Sequence, residues 1–530
     1  MKKILFLWIA IGVTLSATAQ KQSEANRKLS LSEFAISSLY VDSVDETKLV
    51  EDAIRGMLQE LDPHSTYMTP EEVKELNETM QGNFEGIGIQ FEMYKDTLYV
   101  IQTVPGGPSE KVGLLAGDRI LTVNDTLIAG VGRSNTEIMN LIRGKKGTTV
   151  VITVLRRGQT EPMTFKIIRD QIPIHSLDAA YMATPNTGYI RLNRFGATTH
   201  QEFVEAVKKL KKQGMKNLIL DLQGNGGGYL NSSIEIADEL LDDKKLIVYT
   251  QGRKMPREDA IATKEGIFQK GKLVVLVEGS SASASEIVSG AIQDWDRGII
   301  VGRRTFGKGL VQRPVPLPDG SMIRLTVSRY YTPSGRSIQR PYTDGVDQYN
   351  QDLIERYNRG ELTNADSIHF PDSLKVSTLL NQRTVYGGGG IMPDYFVPLD
   401  TTRFTKYLGQ VVAAGILNSY CTDYIDRNRA EIQTHYKTLD RYIESFTVSD
   451  AMVNEVIAAA EKEKITPSGA ITDQEKATIR DWIKSLLARD LFNYEAYIQV
   501  SNLSSDTYQK ALEIIENDEL YNQLLGVQKK

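Results

Sequence analysis

The sequence predicts a multidomain α+β chain: an α/β core, a β-rich module inserted ahead of it, and helical segments at both ends. Three observations lead there. At 530 residues the chain is too long for one ordinary hydrophobic core, and about two to four domains are expected. From Ile172 to Leu399 short apolar strands alternate with helices, the rhythm of a mostly parallel sheet. Between Gly82 and Asp170 short β-rich runs alternate with turn residues, whereas the stretch from Thr402 to the end is helical in period and charged.

Composition narrows the class. An apolar fraction of 41% and a charged fraction of 24% are those of a soluble globular protein, not of a disordered or multi-span membrane protein. A net charge of −5, with no basic domain, excludes a nucleic-acid partner. Lys2 and Lys3, the apolar run from Ile4 to Leu15, and the small residues Ala17-Thr18-Ala19 read as a secretory signal over residues 1–19. The run falls short of the roughly 20 apolar residues that a membrane span needs. The expected location is periplasmic or otherwise extracytoplasmic, with membrane association left open. The single cysteine, Cys421, has no internal disulfide partner and reads as a buried structural thiol.

The elements follow in order. Residues 20–80 form a helical N-terminal segment, with apolar residues at helical spacing from Ile36 to Leu61. Leu61-Asp62-Pro63-His64-Ser65 interrupts it, and Thr69-Pro70-Glu71-Glu72 starts a new helix, with Thr as N-cap and Pro at the first turn. The β-rich module spans 82–170. Strands are expected at Thr97 to Val104, Arg119 to Val123 and Thr148 to Arg156, with a helix at Asn135 to Ile142. The core spans 172–400. It holds strands at Thr187 to Leu192, Leu218 to Leu222 and Lys272 to Glu278, and helices at Thr199 to Gln213, Ser232 to Leu241 and Ala284 to Gln293. A polar stretch, about 342–386, is an insertion that either covers the cleft or decorates the surface. Residues 401–530 form a C-terminal helical region without an interpretable motif.

Two segments carry chemistry. Val274-Val275-Leu276-Val277 runs through the small turn Glu278-Gly279-Ser280-Ser281-Ala282 into a helix. Such a turn exposes a hydroxyl beside free helix N–H groups that favour an oxyanion, and on spacing alone Ser281, Ser283 and Ser285 are all candidates. The second segment is Thr305-Phe306-Gly307-Lys308-Gly309-Leu310-Val311-Gln312. A lysine among apolar neighbours loses solvation of its charged form, so its pKa falls and it can act as a base. Gly302 to Lys308 nearly spells a P-loop, but Gly309 replaces the required hydroxyl and a strand with prolines follows instead of a helix. The five histidines are scattered and no G-x-S-x-G surrounds Ser283, which weighs against a Ser-His-Asp hydrolase. His64 is the one histidine to watch, with a structural role expected. No His/Cys/Asp/Glu cluster has metal spacing, and neither metal nor cofactor is called for.

The module at 82–170 resembles a PDZ domain through Gly86-Ile87-Gly88-Ile89, Val104-Pro105-Gly106-Gly107-Pro108, Gly113-Leu114 and Gly117-Asp118-Arg119-Ile120. Gly86, Ile87, Gly88 and Ile89 stand where that family binds a terminal carboxylate, and an edge strand with a helix forms a groove for an added strand. SASASEI and TFGKGLVQ, in order with Asp62-Pro63-His64-Ser65, Tyr331-Thr332-Pro333-Ser334-Gly335 and Gly390-Ile391-Met392-Pro393-Asp394, resemble the C-terminal processing peptidases, or tail-specific proteases, of the S41 serine peptidases. The resemblance covers most of the chain to about residue 400. It implies a crotonase/ClpP-like α/β peptidase core, Ser283 as nucleophile, Lys308 as general base, and Gln312 as the residue orienting that lysine. It implies an oxyanion hole from the N–H groups of Ala284 and of Gly227, with Gly228 as the alternative, in the turn Asp221-Leu222-Gln223-Gly224-Asn225-Gly226-Gly227-Gly228. Gln223 stands where the family more often has Arg. The implied partners are protein substrates with exposed apolar C-terminal tails, with room for an adaptor protein and a homo-oligomer. The rival from another class is a non-catalytic exported PDZ scaffold that binds protein C-termini.

Overall fold

A computed structural model describes residues 23–527 apart from Lys95 and Phe404; the expected signal segment, residues 1–19, lies outside the described residues. The core is a six-stranded sheet in the order Leu177–Met182, Thr187–Leu192, Asn217–Asp221, Leu273–Val277, Ile299–Gly302 and Tyr395–Phe396. Its first pair is antiparallel and the others are parallel. Buried on both faces, these strands are near-continuous apolar runs, as parallel strands must be.

Alternation assigns the two faces. Ile190, Leu218, Leu220, Val275 and Ile300 pack against the helices Thr199–Lys212, Leu230–Leu240 and Ala284–Asp294. Tyr189, Ile219, Val274, Leu276 and Val301 face the other way, onto Ile498, Tyr508, Ala511, Ile514 and Ile515 of the C-terminal helices Tyr494–Asn502 and Asp506–Glu516. The end of the chain is thus the back layer of the core sheet. Residues 407–500 build a further helical cluster of their own, with Cys421 fully buried within it.

A second, antiparallel sheet carries one half of the site. Met322–Tyr331 pairs with Leu310–Pro316 along its length, and with Thr66–Met68 and Leu246–Gln251. The register Thr66↔Arg324 brings the Asp62 to Ser65 turn beside these strands. Thr69 caps the helix Pro70–Gln81 with a capping box closed by Glu72.

The β-rich module has its own core around Ile87, Leu98, Ile120, Ile138, Val150 and Ile152. The ribbon Asn83–Gly86 with Asp170–Pro173 connects it to the α/β core. Ile89–Tyr94 pairs only with Thr97–Thr103 among the described residues, which leaves an edge strand. Tyr94 Oη donates to Asp423 Oδ2 at 2.7 Å, and Arg157 pairs with Asp426 at 3.3 Å, so the module also contacts the C-terminal helical cluster. Among the described residues no helix is long and apolar enough to cross a membrane.

Candidate active site

The buried strand Leu273–Val277 ends in the turn that delivers Ser283 to the start of the helix Ala284–Asp294. Three serines there have different fates. Ser281 Oγ donates to Leu222 O at 2.8 Å and Ser285 Oγ to Asn225 O at 2.9 Å, both fully buried. Ser283 is only half-buried, and its hydroxyl donates to no carbonyl or carboxylate among the described residues. Its backbone is strained, at φ +55° and ψ −110°, a conformation that a non-glycine residue keeps only when its surroundings impose it.

Those surroundings centre on Glu286, three residues on. Glu286 Oε2 accepts the N–H of Ser283 at 2.8 Å and of Lys308 at 2.9 Å. Oε1 accepts the N–H of Gly307 at 2.7 Å and the Thr305 hydroxyl. Burial pushes the Glu286 carboxyl up, and these donors hold the charged form against it. Phe306 N–H also donates to Ser281 O at 3.0 Å. Two motifs some twenty residues apart are thereby joined into one unit.

Lys308 lies between Gly307 and Gly309. Gly307 has φ +90°, and a Cβ there would meet Gly390 N at 3.0 Å and Arg340 Cβ at 3.2 Å, so close packing demands glycine. The Lys308 amine is half-buried and makes no hydrogen bond or ion pair among the described residues, including to Ser283 Oγ. Burial, reinforced by the nearby Arg324 charge, pushes its pKa down to about 8, while Glu286 and Asp62 act the other way.

Gln312 Nε2 donates to Thr326 Oγ1 at 3.1 Å and is not bonded to Lys308. Thr326 Oγ1 in turn donates to Asp62 Oδ1 at 3.0 Å, and Asp62 also accepts from the His64 and Ser65 N–H groups and the Ser65 hydroxyl. His64 Nε2 bonds with Tyr349 Oη at 2.8 Å, and burial beside Lys308 pushes the imidazole down to about 3. It stays neutral at physiological pH and is held in a structural bond.

The glycine turn lies against the serine. A Cβ on Gly227, at φ +103°, would fall 2.9 Å from both Ala282 O and Ser283 Cβ. The Gly227 N–H, however, donates to Asn225 Oδ1 at 2.9 Å. The N–H groups of Gly228, which is exposed, and of Ala284 meet no acceptor among the described residues. A cleft of about 640 Å³ opens beside this turn, lined by Tyr229, Leu230, Met255, Val311 and Gln312. Gly86, Ile87, Gly88 and Ile89 are not part of this cluster. Gly88 has φ +73°, and the Ile87 carbonyl is taken by Ser109.

Sequence reasoning missed Glu286, Asn225 and Tyr330, whose hydroxyl donates to Ser283 O at 3.1 Å. Only Glu286 had a signal: Ser283-x-x-Glu286 has capping-box spacing.

Comparisons with known proteins identify the family. The family model described as peptidase family S41 matches residues 186–348, and the PDZ domain model matches 86–167. The activating protease CtpB N-terminal domain model matches 12–72, and a family of unknown function matches 407–493. The carboxy-terminal-processing protease of Bartonella bacilliformis is 35% identical over 382 residues, 69% of this chain and 87% of that protein. The carboxy-terminal processing protease CtpA of Bacillus subtilis is 37% identical over 306 residues, 58% of this chain and 65% of that protein. A solved photosystem II D1 C-terminal processing protease aligns at 32% identity over 58% of this chain and 83% of its own, with a TM-score of 0.33. The chain belongs to the carboxy-terminal processing proteases, serine proteases of peptidase family S41 that carry a PDZ domain.

Proposed function

We propose that the chain is an exported endopeptidase in which Ser283 is the nucleophile and Lys308 the general base, acting on proteins whose C-terminal tails dock on the PDZ module. The observation that carries this reading is the shared carboxylate. Glu286 Oε2 takes the amides of both residues, while the Lys308 amine has no hydrogen-bond or ion-pair partner among the described residues and is pushed down to about 8. An amine of that kind is neutral in a useful fraction near pH 8 and accepts a proton.

Neutral Lys308 Nζ takes the Ser283 hydroxyl proton as Oγ adds to the scissile carbonyl. The oxyanion forms against free N–H groups. Ala284 supplies one. Gly228 supplies the other in preference to Gly227, because the Gly227 N–H already serves Asn225. The lysine ammonium then protonates the leaving amine as the C–N bond breaks, leaving an ester on Ser283. Water, deprotonated by Lys308, hydrolyses the ester and regenerates the hydroxyl. Gln312 orients Lys308: its Nε2 is given to Thr326, which leaves its carbonyl oxygen to accept from the amine.

Export rests on the expected signal in residues 1–19. Tail recognition rests on the edge strand Ile89–Tyr94 and the glycine-bearing loop before it. Tyr229, Leu230 and Met255 form an apolar part of a cleft that also holds Glu235, Glu258 and Arg313, and that part suits an apolar substrate segment. The test is cleavage of a model protein ending in apolar residues, compared with the same protein ending in Asp-Asp or in a C-terminal amide. Faster cleavage of the apolar, free-carboxylate form is expected. Equal rates for all three tails would remove tail recognition, and tail binding without any cleavage would favour a scaffold.

A further inference from the structure

The insertion at about 342–386 holds the lysine segment in place. Its helix, Val346–Asn358, carries Arg356, whose side chain is among the most deeply buried large ones, at 1% exposure. Arg356 Nη1 donates to Thr305 O at 2.7 Å and Nη2 to Phe306 O at 3.1 Å. Asp352, one turn earlier on the same helix, pairs with Arg356 Nε at 2.8 Å and with Arg340. A buried guanidinium is costly to strip of its partners, so Arg356 and the two carbonyls it bonds stay together.

The same helix grips the segment a second time. Tyr349 is buried beside Phe306, with ring centroids 6.0 Å apart, and its hydroxyl bonds with His64. The Arg340 guanidinium stacks on both rings, 4.0 Å from Phe306 and 3.7 Å from Tyr349. Residues 305–308 are therefore clamped from two sides. Glu286 takes the N–H groups of Gly307 and Lys308, and Arg356 takes the carbonyls of Thr305 and Phe306.

The geometry points to Arg356 as a positioning residue for the general base: it sets the backbone of Thr305 and Phe306 and, through it, the placement of Lys308. The inference rests on Lys308 acting as the base, and it gives the insertion a part in the reaction. A displacement of about 1 Å in a catalytic group lowers turnover by about 100-fold. Arg356→Gln, which cannot span both carbonyls, is expected to lower kcat by about that factor with KM little changed. It is also expected to move the pH midpoint of kcat, as the loosened segment changes the solvation of the amine. Arg356→Lys keeps the charge and one carbonyl bond and is expected to recover part of the loss, remaining at least about threefold below wild type.

The experiment measures kcat, KM and the pH profile for wild type, Arg356→Gln and Arg356→Lys, with folding checked by circular dichroism. If Arg356→Gln does not fold, Arg356→Lys decides. A wild-type kcat and midpoint in either folded variant overturns the inference. A loss of kcat that only tracks the folded fraction, with an unmoved midpoint, also overturns it. A wild-type profile without a midpoint near pH 8 would instead contradict Lys308 as base, which separates the two failures.

Discussion

The backbone N–H groups of Ser283 and Lys308 donate to one oxygen, Glu286 Oε2, at 2.8 and 2.9 Å. The other oxygen accepts from Gly307 and Thr305. Replacing the carboxylate with an amide turns one of these acceptors into a donor facing donors. Glu286→Gln is expected to lose about 1–3 kcal/mol of stability and about 100-fold in kcat. Urea unfolding alongside steady-state kinetics checks both.

The low pKa of Lys308 has a thermodynamic cost. In the unfolded chain the amine titrates near 10.5, in the folded chain near 8, so the unfolded state binds more protons between those values. Stability from this group therefore rises as pH climbs from about 8 to 10.5, and below pH 8 the folded state carries the full penalty. Lys308→Met abolishes the base but is expected to stabilise the protein by about 1–3 kcal/mol at pH 7. The gain should vanish by pH 10.5. Denaturant midpoints at pH 7 and above 10 measure it.

Two flanking charges tune the same group in opposite directions. The Arg324 charge pushes the Lys308 pKa down and Asp62 pulls it up. Arg324 has no hydrogen-bond or ion-pair partner among the described residues, so Arg324→Gln removes mainly its charge. The pH midpoint of activity is expected to rise in Arg324→Gln and to fall in Asp62→Asn. A pH series on each variant reads the sign.

In the glycine turn, neighbouring positions differ sharply. Gly227→Ala forces a Cβ against Ser283 and Ala282 at an unfavourable φ, and a strained residue there costs about 1–3 kcal/mol. It is expected to lower kcat by about 100-fold. Gly226→Ala, which faces open space, is expected to keep wild-type activity.

Much of this was legible from local pattern. The strand–turn–helix around Ser283, the α/β order and the capped helix at Thr69 are short-range features, and each recurs in the structure within a residue or two. The order of motifs singled out Ser283; in the fold the neighbouring Ser281 and Ser285 hydroxyls are taken up in buried bonds. What stayed hidden depends on contacts between distant segments. Glu286 lies inside a motif, but three of its four donors come from residues 305–308. Arg356 sat in a polar stretch whose sequence left open whether it covers the cleft or decorates the surface. The C-terminal helices showed only helical period, and nothing local announces that Ile514 and Ile515 cover the back of the sheet. The choice between Gly227 and Gly228 turns on one side-chain bond from Asn225.

The most direct measurement is the rate of peptide cleavage against pH for wild type, Ser283→Ala and Lys308→Ala. The expected result is a wild-type rate that rises through a midpoint near pH 8, set by the depressed Lys308 pKa. No cleavage is expected from either variant at any pH, while tail-peptide binding is retained. Cleavage surviving in both folded variants, or a wild-type rate flat from acid to alkaline pH with chemistry limiting, would contradict the Ser283–Lys308 dyad.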